Sequence, residues 1–198
     1  LYREDALVVW AAKRLQQSVF WTADRSESFL SDEHARAVSG NAVLGLDADG
    51  LFTGLWVEAK TDTGAYLSRR TKSMLNNIGG VAGQYRTPVI ASELTFFYTN
   101  TMQTSPYRGF GRPEATYIIE RLIDKAARET GYDALALRQK NLVTPDQMPY
   151  QTGLTFHYDC GDFPRIVEAA ATQADYAGFE QRRKQSEAKG LLRGIGIS

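Results

Sequence analysis

The stretch that most constrains the fold is SPYRGFGRPEA, residues 105–115, in which two glycines flank a phenylalanine. Gly109 and Gly111 lack a Cβ, so the backbone can take positive φ there and approach a bound group closely. Pro113 fixes φ near the helical value, and its missing N–H would have no partner in a first helical turn. The stretch therefore predicts a tight turn that leads into a helix.

The residues after this turn carry the period of an amphipathic helix that ends at Gly131. Its apolar positions recur at intervals of three and four: Ala115, Ile118, Ile119, Leu122, Ile123, Ala126 and Ala127. Unpaired backbone N–H groups and the positive end of the helix dipole favour an anion or an electron-rich oxygen at the turn. The turn is no dinucleotide fingerprint, because the third glycine would fall at Glu114, and no Gly-Lys-Ser/Thr follows. By spacing alone, a Gly-x-Gly before a helix is more often a loop that only turns sharply than a ligand site.

Composition excludes several kinds of partner and site. With 23 Lys plus Arg and 23 Asp plus Glu, the chain has no net charge that would attract nucleic acid or an anionic membrane. Its one cysteine, Cys160, excludes an internal disulfide and is expected to be a partly buried, inert thiol. His34 stands alone, and no Cys/His cluster has metal-site spacing, so no metal is expected on protein ligands.

Size and ends indicate a segment of a longer protein. The 198 residues, 43% of them hydrophobic, suffice for one large domain or for two subdomains of about 1–131 and about 132–198. No apolar run is long enough to span a membrane. The chain starts at Leu1 without a signal-peptide pattern. We therefore expect a cytoplasmic internal fragment.

The first half of the chain predicts a helix, a hairpin and further strands. A turn at Asp47 to Gly50 should join the two hairpin strands, and those two aspartates are turn residues rather than a calcium loop. A long connection follows, and such connections are often functional. The predicted elements are a helix over 4–17, a strand over 19–23, a polar turn over 24–29, hairpin strands over 37–46 and 51–60, and an interior strand over 88–98.

The second half predicts mainly helices. Asp133 and Asp162 are expected N-caps, the first for a helix over 134–141 and the second for an amphipathic helix. We expect a loop over 145–158, a solvated helix over 175–188 and the start of a buried strand over 194–197. The fold class is therefore α+β, with a hairpin-containing mixed sheet packed against amphipathic helices.

Seven short motifs fall in an order that resembles one enzyme family. They are YRED (2–5), ADRSE (23–27), DTGAY (62–66), TNT (99–101), YRGFGRPEA (107–115), LRQKN (137–141) and RGIGI (193–197). Together they resemble the molybdenum-cofactor-binding large subunit of the xanthine dehydrogenase, aldehyde oxidase and carbon monoxide dehydrogenase family. The resemblance spans nearly the whole chain, and the Tyr-Arg-Gly-Phe-Gly motif is its most specific part.

The resemblance implies a hydroxylase that transfers water-derived oxygen to an electron-poor carbon of a small molecule. The molybdenum would be held by molybdopterin, expected as the cytosine dinucleotide form, and electrons would pass to iron–sulfur and FAD partner subunits. The cofactor-binding residues implied are Tyr107, Arg108, Gly109, Phe110 and Gly111. Phe110 would also face flat substrates, or alternatively it fills the core as a loop residue.

Departures from the family pattern narrow the expected substrate to an aldehyde or an N-heterocycle. Members that oxidise CO carry a reactive cysteine followed by Ser-Phe-Arg, where this chain has Gly109 to Arg112, so CO oxidation is not expected. An ungapped count from Tyr85 places Asn76 at the arginine of purine-acting members, although Arg69 and Arg70 lie close by. Asn76 is thus a substrate-pocket candidate, and xanthine is disfavoured.

The family's general-base glutamate and its glutamine near the metal have no counterpart in this chain. No residue is therefore assigned as catalytic, and the isolated fragment is expected to bind little or no cofactor and to have no turnover. Two other hypotheses remain open at this point. The chain could be a noncatalytic α/β interaction domain with a structural glycine loop, or a phosphate- or nucleotide-binding module.

Overall fold

A computed structural model describes residues 3–67 and 77–198. In chain order, the helices are α1 (Arg3–Leu15), α2 (Arg25–Ser31), α3 (Arg112–Thr130), α4 (Ala134–Asn141), α5 (Phe163–Gln173) and α6 (Phe179–Glu187). The strands are β1 (Val38–Leu46), β2 (Phe52–Asp62), β3 (Ile90–Phe97), β4 (Tyr150–Gln151) and β5 (His157–Tyr158). Short 3-10 helices occupy Ile78–Ala82 and Pro145–Gln147. The predicted α+β class is confirmed.

A three-stranded mixed sheet has β2 at its centre. β1 pairs antiparallel to β2, with Val43 opposite Trp56, and β3 pairs parallel to β2, with Leu55 opposite Ile90. The predicted hairpin is confirmed, and Asp47 Oδ1 closes its turn by accepting hydrogen bonds from the Leu51 and Asp49 amides at 2.8 and 2.9 Å. These bonds are ordinary Asx-turn chemistry.

The prediction that the third strand is interior is wrong. In the described residues, β3 lies at an edge of the sheet in the order β1, β2, β3. Its side chains alternate between half-buried and exposed over much of its length, and Val89 just before it is 65% exposed. The apolar run predicts a strand buried on both faces, whereas β2 is the strand whose Leu55, Val57 and Ala59 lie in the core.

The core forms where α3 packs against the sheet, α4 and the 3-10 helix Ile78–Ala82. The helix buries the face predicted from its apolar period, which includes Ala115, Ile119, Ile123 and Ala127. The buried cluster also holds Phe52, Leu55, Val57, Ala59, Val81, Tyr85, Leu137 and Leu142. It draws on residues before and after position 131, and the division into two subdomains stays a prediction.

Helix ends follow the predicted caps closely. Asp133 Oδ1 accepts from the amides of Leu135 and Ala136 at 3.0 and 2.8 Å, which fixes the start of α4. Asp162 Oδ1 accepts from the Arg165 amide at 3.1 Å at the start of α5. Gly131 ends α3 with a φ of 80°, a left-handed conformation that glycine takes without a steric penalty.

Two predictions near the N-terminus are wrong. Residues 19–23 form no strand although they lie in the described range, and Phe20 is 90% exposed with no neighbouring strand to pair with. The polar stretch after them is helix α2 rather than a turn. Asp24 Oδ1 accepts from the Glu27 amide at 2.8 Å, and Glu27 accepts from the Asp24 amide at 3.0 Å, forming a capping box. The spacing of this Asp and Glu could have predicted the helix.

The C-terminal part departs from prediction at three places. Asp175 has a φ of 48° and closes a turn, so α6 begins only at Phe179. Residues 194–197 are mostly exposed and irregular rather than a buried strand, because no described strand pairs with them. The predicted loop over 145–158 contains the short hairpin of β4 and β5, with Tyr150 opposite Tyr158.

Among the described helices, none is long and apolar enough to cross a membrane.

Candidate functional site

The candidate site is a glycine bend, residues 107–111, at the start of α3. Gly109, Phe110 and Gly111 have φ values of 92°, 49° and 84°, so three successive residues are left-handed. Two hydrogen bonds close the bend, from the Phe110 amide to Tyr107 O at 2.9 Å and from the Arg112 amide to Gly109 O at 3.1 Å. Positive φ is costly for phenylalanine, and such conformations are concentrated at ligand sites.

The bend presents backbone donors at a helix N-terminus. Gly111 is the N-cap of α3, and no side chain caps this helix. Within residues 3–67 and 77–198, the amides of Arg108, Gly109 and Gly111 have no hydrogen-bond acceptor. Adjacent unpaired amides at the positive end of a helix dipole favour an anion or an electron-rich oxygen. The donor set therefore fits a group that carries such oxygens.

Close packing leaves no room for a larger residue at Gly109. A Cβ built there would lie 2.7 Å from Pro113 Cγ and 2.8 Å from Cδ. The ring of Pro113 thus packs against the bend and starts the helix. Two sequence features predicted separately, the glycine turn and the helix-starting proline, prove to depend on each other.

An arginine from an earlier segment holds the bend. Arg36 Nη2 donates to Arg108 O at 2.5 Å, and the guanidinium carbon lies 5.3 Å from the Tyr107 ring centre. Its Nη1 lies 3.6 Å from Glu114 Oε2 in the first turn of α3. Sequence reasoning missed Arg36, because nothing local links it to residues more than 70 positions away. Its two sequence neighbours are alanines in a polar stretch, and they do not indicate that Arg36 contacts the bend.

The bend is connected to the sheet by two of the motifs that carried the family resemblance. Asp62, at the end of β2, accepts from the Gly64 amide at 2.6 Å, from the Thr99 hydroxyl and from Thr101 Oγ1 at 3.1 Å. The Thr104 amide then donates to Thr63 O at 3.1 Å. These bonds join DTGAY and TNT and carry the chain toward the bend, a convergence that was not predicted.

The same hydrogen bonds stabilise the ionised form of Asp62. Donation by the Thr99 hydroxyl, then by the Gly64 amide, lowers the pKa of Asp62, and these effects outweigh the opposing effect of burial. Asp62 therefore serves as a fixed anionic acceptor that locks the ends of two parallel strands together.

The predicted site residues are only partly brought together. Tyr107 and Arg108 are exposed, Gly109 and Phe110 are half-buried, and Gly111 is buried, so the bend lies at the surface of this chain. Asn76 lies outside the described residues, as do Arg69 and Arg70. The roles of the five bend residues and of Asn76 stay predictions.

A groove of about 740 Å³ runs beside the bend, between α3 and the β1–β2 hairpin. Val57, Ile118 and Leu122 contribute apolar surface, whereas Arg121, Lys125 and Arg128 lie along its helix side. Glu114 and Pro113, just after the bend, also line the groove. The bend thus stands at one end of a mixed apolar and basic depression.

His34 and Cys160, the other two residues considered from the sequence, lie in no metal-binding group of the described residues. His34 is exposed, and its backbone pairs with Thr104 rather than its ring binding a cluster. Cys160 is exposed, which corrects the expectation of partial burial, and a hydrogen bond and the charge of Asp159 raise the pKa of its thiol. Over the described ranges, no group of three His, Cys, Asp or Glu side chains could hold a metal ion.

Comparison with known proteins identifies relatives of the whole chain. Residues 1–142 match the family model of the molybdopterin cofactor-binding domain. The chain is 32% identical over its full length to the 6-hydroxypseudooxynicotine dehydrogenase complex subunit gamma of Paenarthrobacter nicotinovorans, covering 26% of that protein. It is 30% identical over its full length to the carbon monoxide dehydrogenase large chain of Hydrogenophaga pseudoflava, covering 25% of that protein.

Solved structures share the same architecture. Quinoline 2-oxidoreductase from Pseudomonas putida 86 superposes with a TM-score of 0.86 at 29% identity, over 94% of this chain and 24% of that chain. The chain therefore spans about a quarter of the length of each of these three relatives.

Proposed function

The chain belongs to the molybdopterin cofactor-binding domain family, and from this membership we propose that it forms part of a molybdenum hydroxylase subunit. The observation that carries the proposal is the glycine bend, whose unpaired Arg108, Gly109 and Gly111 amides stand at the uncapped start of α3. When bound, the molybdenum held by molybdopterin would supply the redox centre for hydroxylation of the substrate.

In this proposal the bend orients the cofactor rather than taking part in proton transfer. Amide donors held in place before binding need no reorganisation, and they stabilise electron-rich oxygen in a site that excludes water. Phe110 then limits the space available to a flat substrate, since its side chain is half-buried beside these donors. No catalytic base is assigned, so the proton acceptor belongs to another part of the parent protein.

Exposed apolar surface supports a place within a larger subunit. Phe20 and Leu192 are 90% and 98% exposed, and Tyr98 is 68% exposed just after β3. A chain that exposes many large apolar side chains is expected to have part of its surface covered by a partner or by further chain. We propose that the rest of the parent protein covers them and closes the site over the bend, and that the isolated 198-residue chain has no turnover.

The proposed substrate is an aldehyde or an N-heterocycle. Relatives named for quinoline and for 6-hydroxypseudooxynicotine favour the nitrogen-containing ring. Gly109 to Arg112 provide no thiol in the bend, which disfavours CO even though one relative is a carbon monoxide dehydrogenase large chain. The neutral Asn76 disfavours xanthine. Electrons would pass to iron–sulfur and FAD partner subunits, and the cofactor would be the cytosine dinucleotide form, in a cytoplasmic complex.

The test is to purify the parent complex and to measure molybdenum, bound nucleotide and turnover with aldehydes, purines, N-heterocycles and CO. We expect about one molybdenum per subunit and turnover with an aldehyde or an N-heterocycle. The 198-residue chain alone should hold little metal. A parent complex without molybdenum would favour a noncatalytic interaction domain, and stoichiometric metal with turnover in the isolated chain would refute the fragment proposal.

A further inference from the structure

Arg36 has a backbone conformation that is unusual for its residue type. Its φ is 68°, in the left-handed region that residues with a Cβ rarely enter. The segment before it is pinned to the segment that leads into the bend, because the His34 amide donates to Gln103 O at 3.3 Å and the Ser105 amide donates to His34 O at 2.9 Å. The unfavourable conformation is therefore held in place by these bonds, and it positions the Arg36 side chain beside the bend.

The guanidinium reaches three groups around the bend at once. It donates to Arg108 O at 2.5 Å, lies 5.3 Å from the Tyr107 ring centre and stands 3.6 Å from Glu114 Oε2. A planar guanidinium can bind a carbonyl, stack on an aromatic ring and face a carboxylate together, whereas an ammonium is a single point charge. The contacts lie on both sides of Gly109 and Gly111.

The bond to Arg108 O also sets the direction of one amide donor. Arg108 O and the Gly109 N–H belong to the same planar peptide unit and, in a trans peptide, point in opposite directions. Holding the carbonyl on Arg36 therefore holds the Gly109 N–H facing away from Arg36. The charged donor also polarises the peptide, which strengthens its N–H as a donor on the other side.

The contact with Glu114 removes an electrostatic obstacle to anion binding. Glu114 Oε2 is buried and has no hydrogen-bond partner among the described residues, so Arg36 is the cation that faces it. An uncompensated carboxylate in the first turn of α3 would repel an electron-rich group at the amides above it. Arg36 offsets that charge at the point where the bend meets the helix.

We propose that Arg36 is a positioning residue for the cofactor, orienting the Gly109 amide through Arg108 O and neutralising Glu114 below the bend. This inference rests on the proposed function. It assigns a role to a residue outside every motif that suggested the family, and it predicts loss of cofactor retention rather than loss of folding.

The experiment compares the molybdenum-loaded parent protein with Arg36→Met, Arg36→Lys and Arg36→Met/Glu114→Gln variants. The control is Arg165→Met, which removes an exposed arginine from the first turn of α5, outside the groove. Readouts are molybdenum per subunit, the Mo(V) electron paramagnetic resonance spectrum and the melting temperature. We expect Arg36→Met to lower molybdenum content about 10-fold, a loss typical of residues that orient ligand-binding groups. Arg36→Lys should be intermediate, and the control unchanged.

The double variant separates the two contacts. It removes the Glu114 charge, so a persistent loss of molybdenum or an altered Mo(V) spectrum in this folded variant would be due to the released Arg108 carbonyl. If Arg36→Met and the double variant both fold and both keep the wild-type molybdenum content and Mo(V) spectrum, the role proposed for Arg36 is overturned. The proposed function would still stand. If Arg36→Met does not fold, the test uses Arg36→Lys, and a wild-type molybdenum content and Mo(V) spectrum in that variant would overturn the role proposed for Arg36. A wild-type parent protein without molybdenum would overturn the proposed function as well.

Discussion

Arg138 Nε lies 2.8 Å from Glu120 Oε2, and this ion pair joins α4 to α3 inside the core. Arg138 is only 2% exposed and Glu120 8%. Burial by itself would lower the pKa of Arg138, but its hydrogen bond to Glu120 and the charge of that carboxylate raise it, with help from Asp124. The other oxygen of Glu120 accepts from Tyr85 OH at 2.8 Å. Burial, and then Glu120, raise the pKa of this phenol. Arg138 thus stays a cation and Tyr85 a neutral hydroxyl.

Removing one partner of this pair should strongly destabilise the chain. We expect Arg138→Met to lower the free energy of unfolding by about 3–5 kcal/mol, because it leaves the Glu120 carboxylate buried without its cation. Urea denaturation of the 198-residue chain measures the change.

An exposed ion pair of the same length provides the control. Arg183 Nη2 lies 2.8 Å from Glu180 Oε2, and both side chains are about half exposed or more. Arg183→Met should therefore cost less than about 1 kcal/mol. Adding Glu120→Gln to Arg138→Met should recover a large part of the loss, because a neutral amide can still accept from Tyr85. Equal costs for Arg138→Met and Arg183→Met would contradict the prediction.

The buried pair shows where sequence reasoning reached its limit in the core. The apolar period of α3 correctly predicted that Ile119 and Ile123 are buried. It could not predict that Glu120 and Arg138 are buried too, because a charged residue is expected to face solvent unless its partner is known. That partner lies 18 positions away on another helix. Only the packing of the two helices brings the charges together.

The sequence predicted structure correctly where the hydrogen bonds join residues close together in the chain. The aspartate caps of α4 and α5 and the hairpin turn at Asp47 depend on bonds within four residues, and all were predicted. The strand predicted over 19–23 failed for the opposite reason. A strand exists only with a neighbour to bond, and the apolar composition around Phe20 says nothing about a neighbour.

For the candidate site, the sequence predicted the glycine bend but not what holds it. Gly109, Gly111 and Pro113 act on adjacent residues, so their effect is visible in the order of residues. Arg36 and the Asp62 network act over 37 to 72 positions, as in the bonds from Thr99 to Asp62 and from Arg36 to Arg108. Their convergence depends on how the sheet and its loops fold, which no local motif encodes.

A second prediction concerns Asn141, which ties the hairpin turn to α4. Its Oδ1 accepts from the Phe52 amide at 2.8 Å, and its Nδ2 donates to Gly50 O at 3.0 Å. Asn141→Leu would leave both backbone groups without a partner in the core, so we expect a loss of about 3 kcal/mol in the free energy of unfolding. Urea denaturation measures it, and hydrogen exchange should accelerate at the Phe52 amide.

The matched control for this prediction is Asn100→Leu, because Asn100 is exposed. We expect its effect to be within about 0.5 kcal/mol. Slow exchange at the Phe52 amide in Asn141→Leu would show that the side chain is dispensable at the hairpin turn.

A third prediction follows from the lowered pKa of Asp62. Because the folded pKa lies below the unfolded value of about 3.9, ionised Asp62 stabilises the fold above that pH, and the contribution is lost as pH falls through the folded pKa. Asp62→Asn should therefore lower the melting temperature at neutral pH. Its deficit relative to wild type should shrink below about pH 4.

Melting curves of wild type and Asp62→Asn from neutral pH to about pH 3 test this. Glu93→Gln is the control, because Glu93 is exposed on β3, and its curve should follow wild type throughout. A constant deficit in Asp62→Asn across the range would mean that the ionisation of Asp62 contributes nothing.

The fourth prediction separates backbone conformation from close packing at the bend. Gly109 and Gly131 both have positive φ, 92° and 80°, but a Cβ at Gly131 would meet nothing within 4 Å, whereas one at Gly109 would meet Pro113 at 2.7 Å. Gly131→Ala should therefore cost only the left-handed conformation, about 1–2 kcal/mol, with no effect on cofactor content. Gly109→Ala adds a clash that must displace either the bend or Pro113. We expect a larger loss of stability, measured by urea denaturation, together with a several-fold loss of molybdenum from the parent complex. Equal stability losses in the two variants, with full molybdenum in both, would show that the bend tolerates displacement and that its geometry does not hold the cofactor.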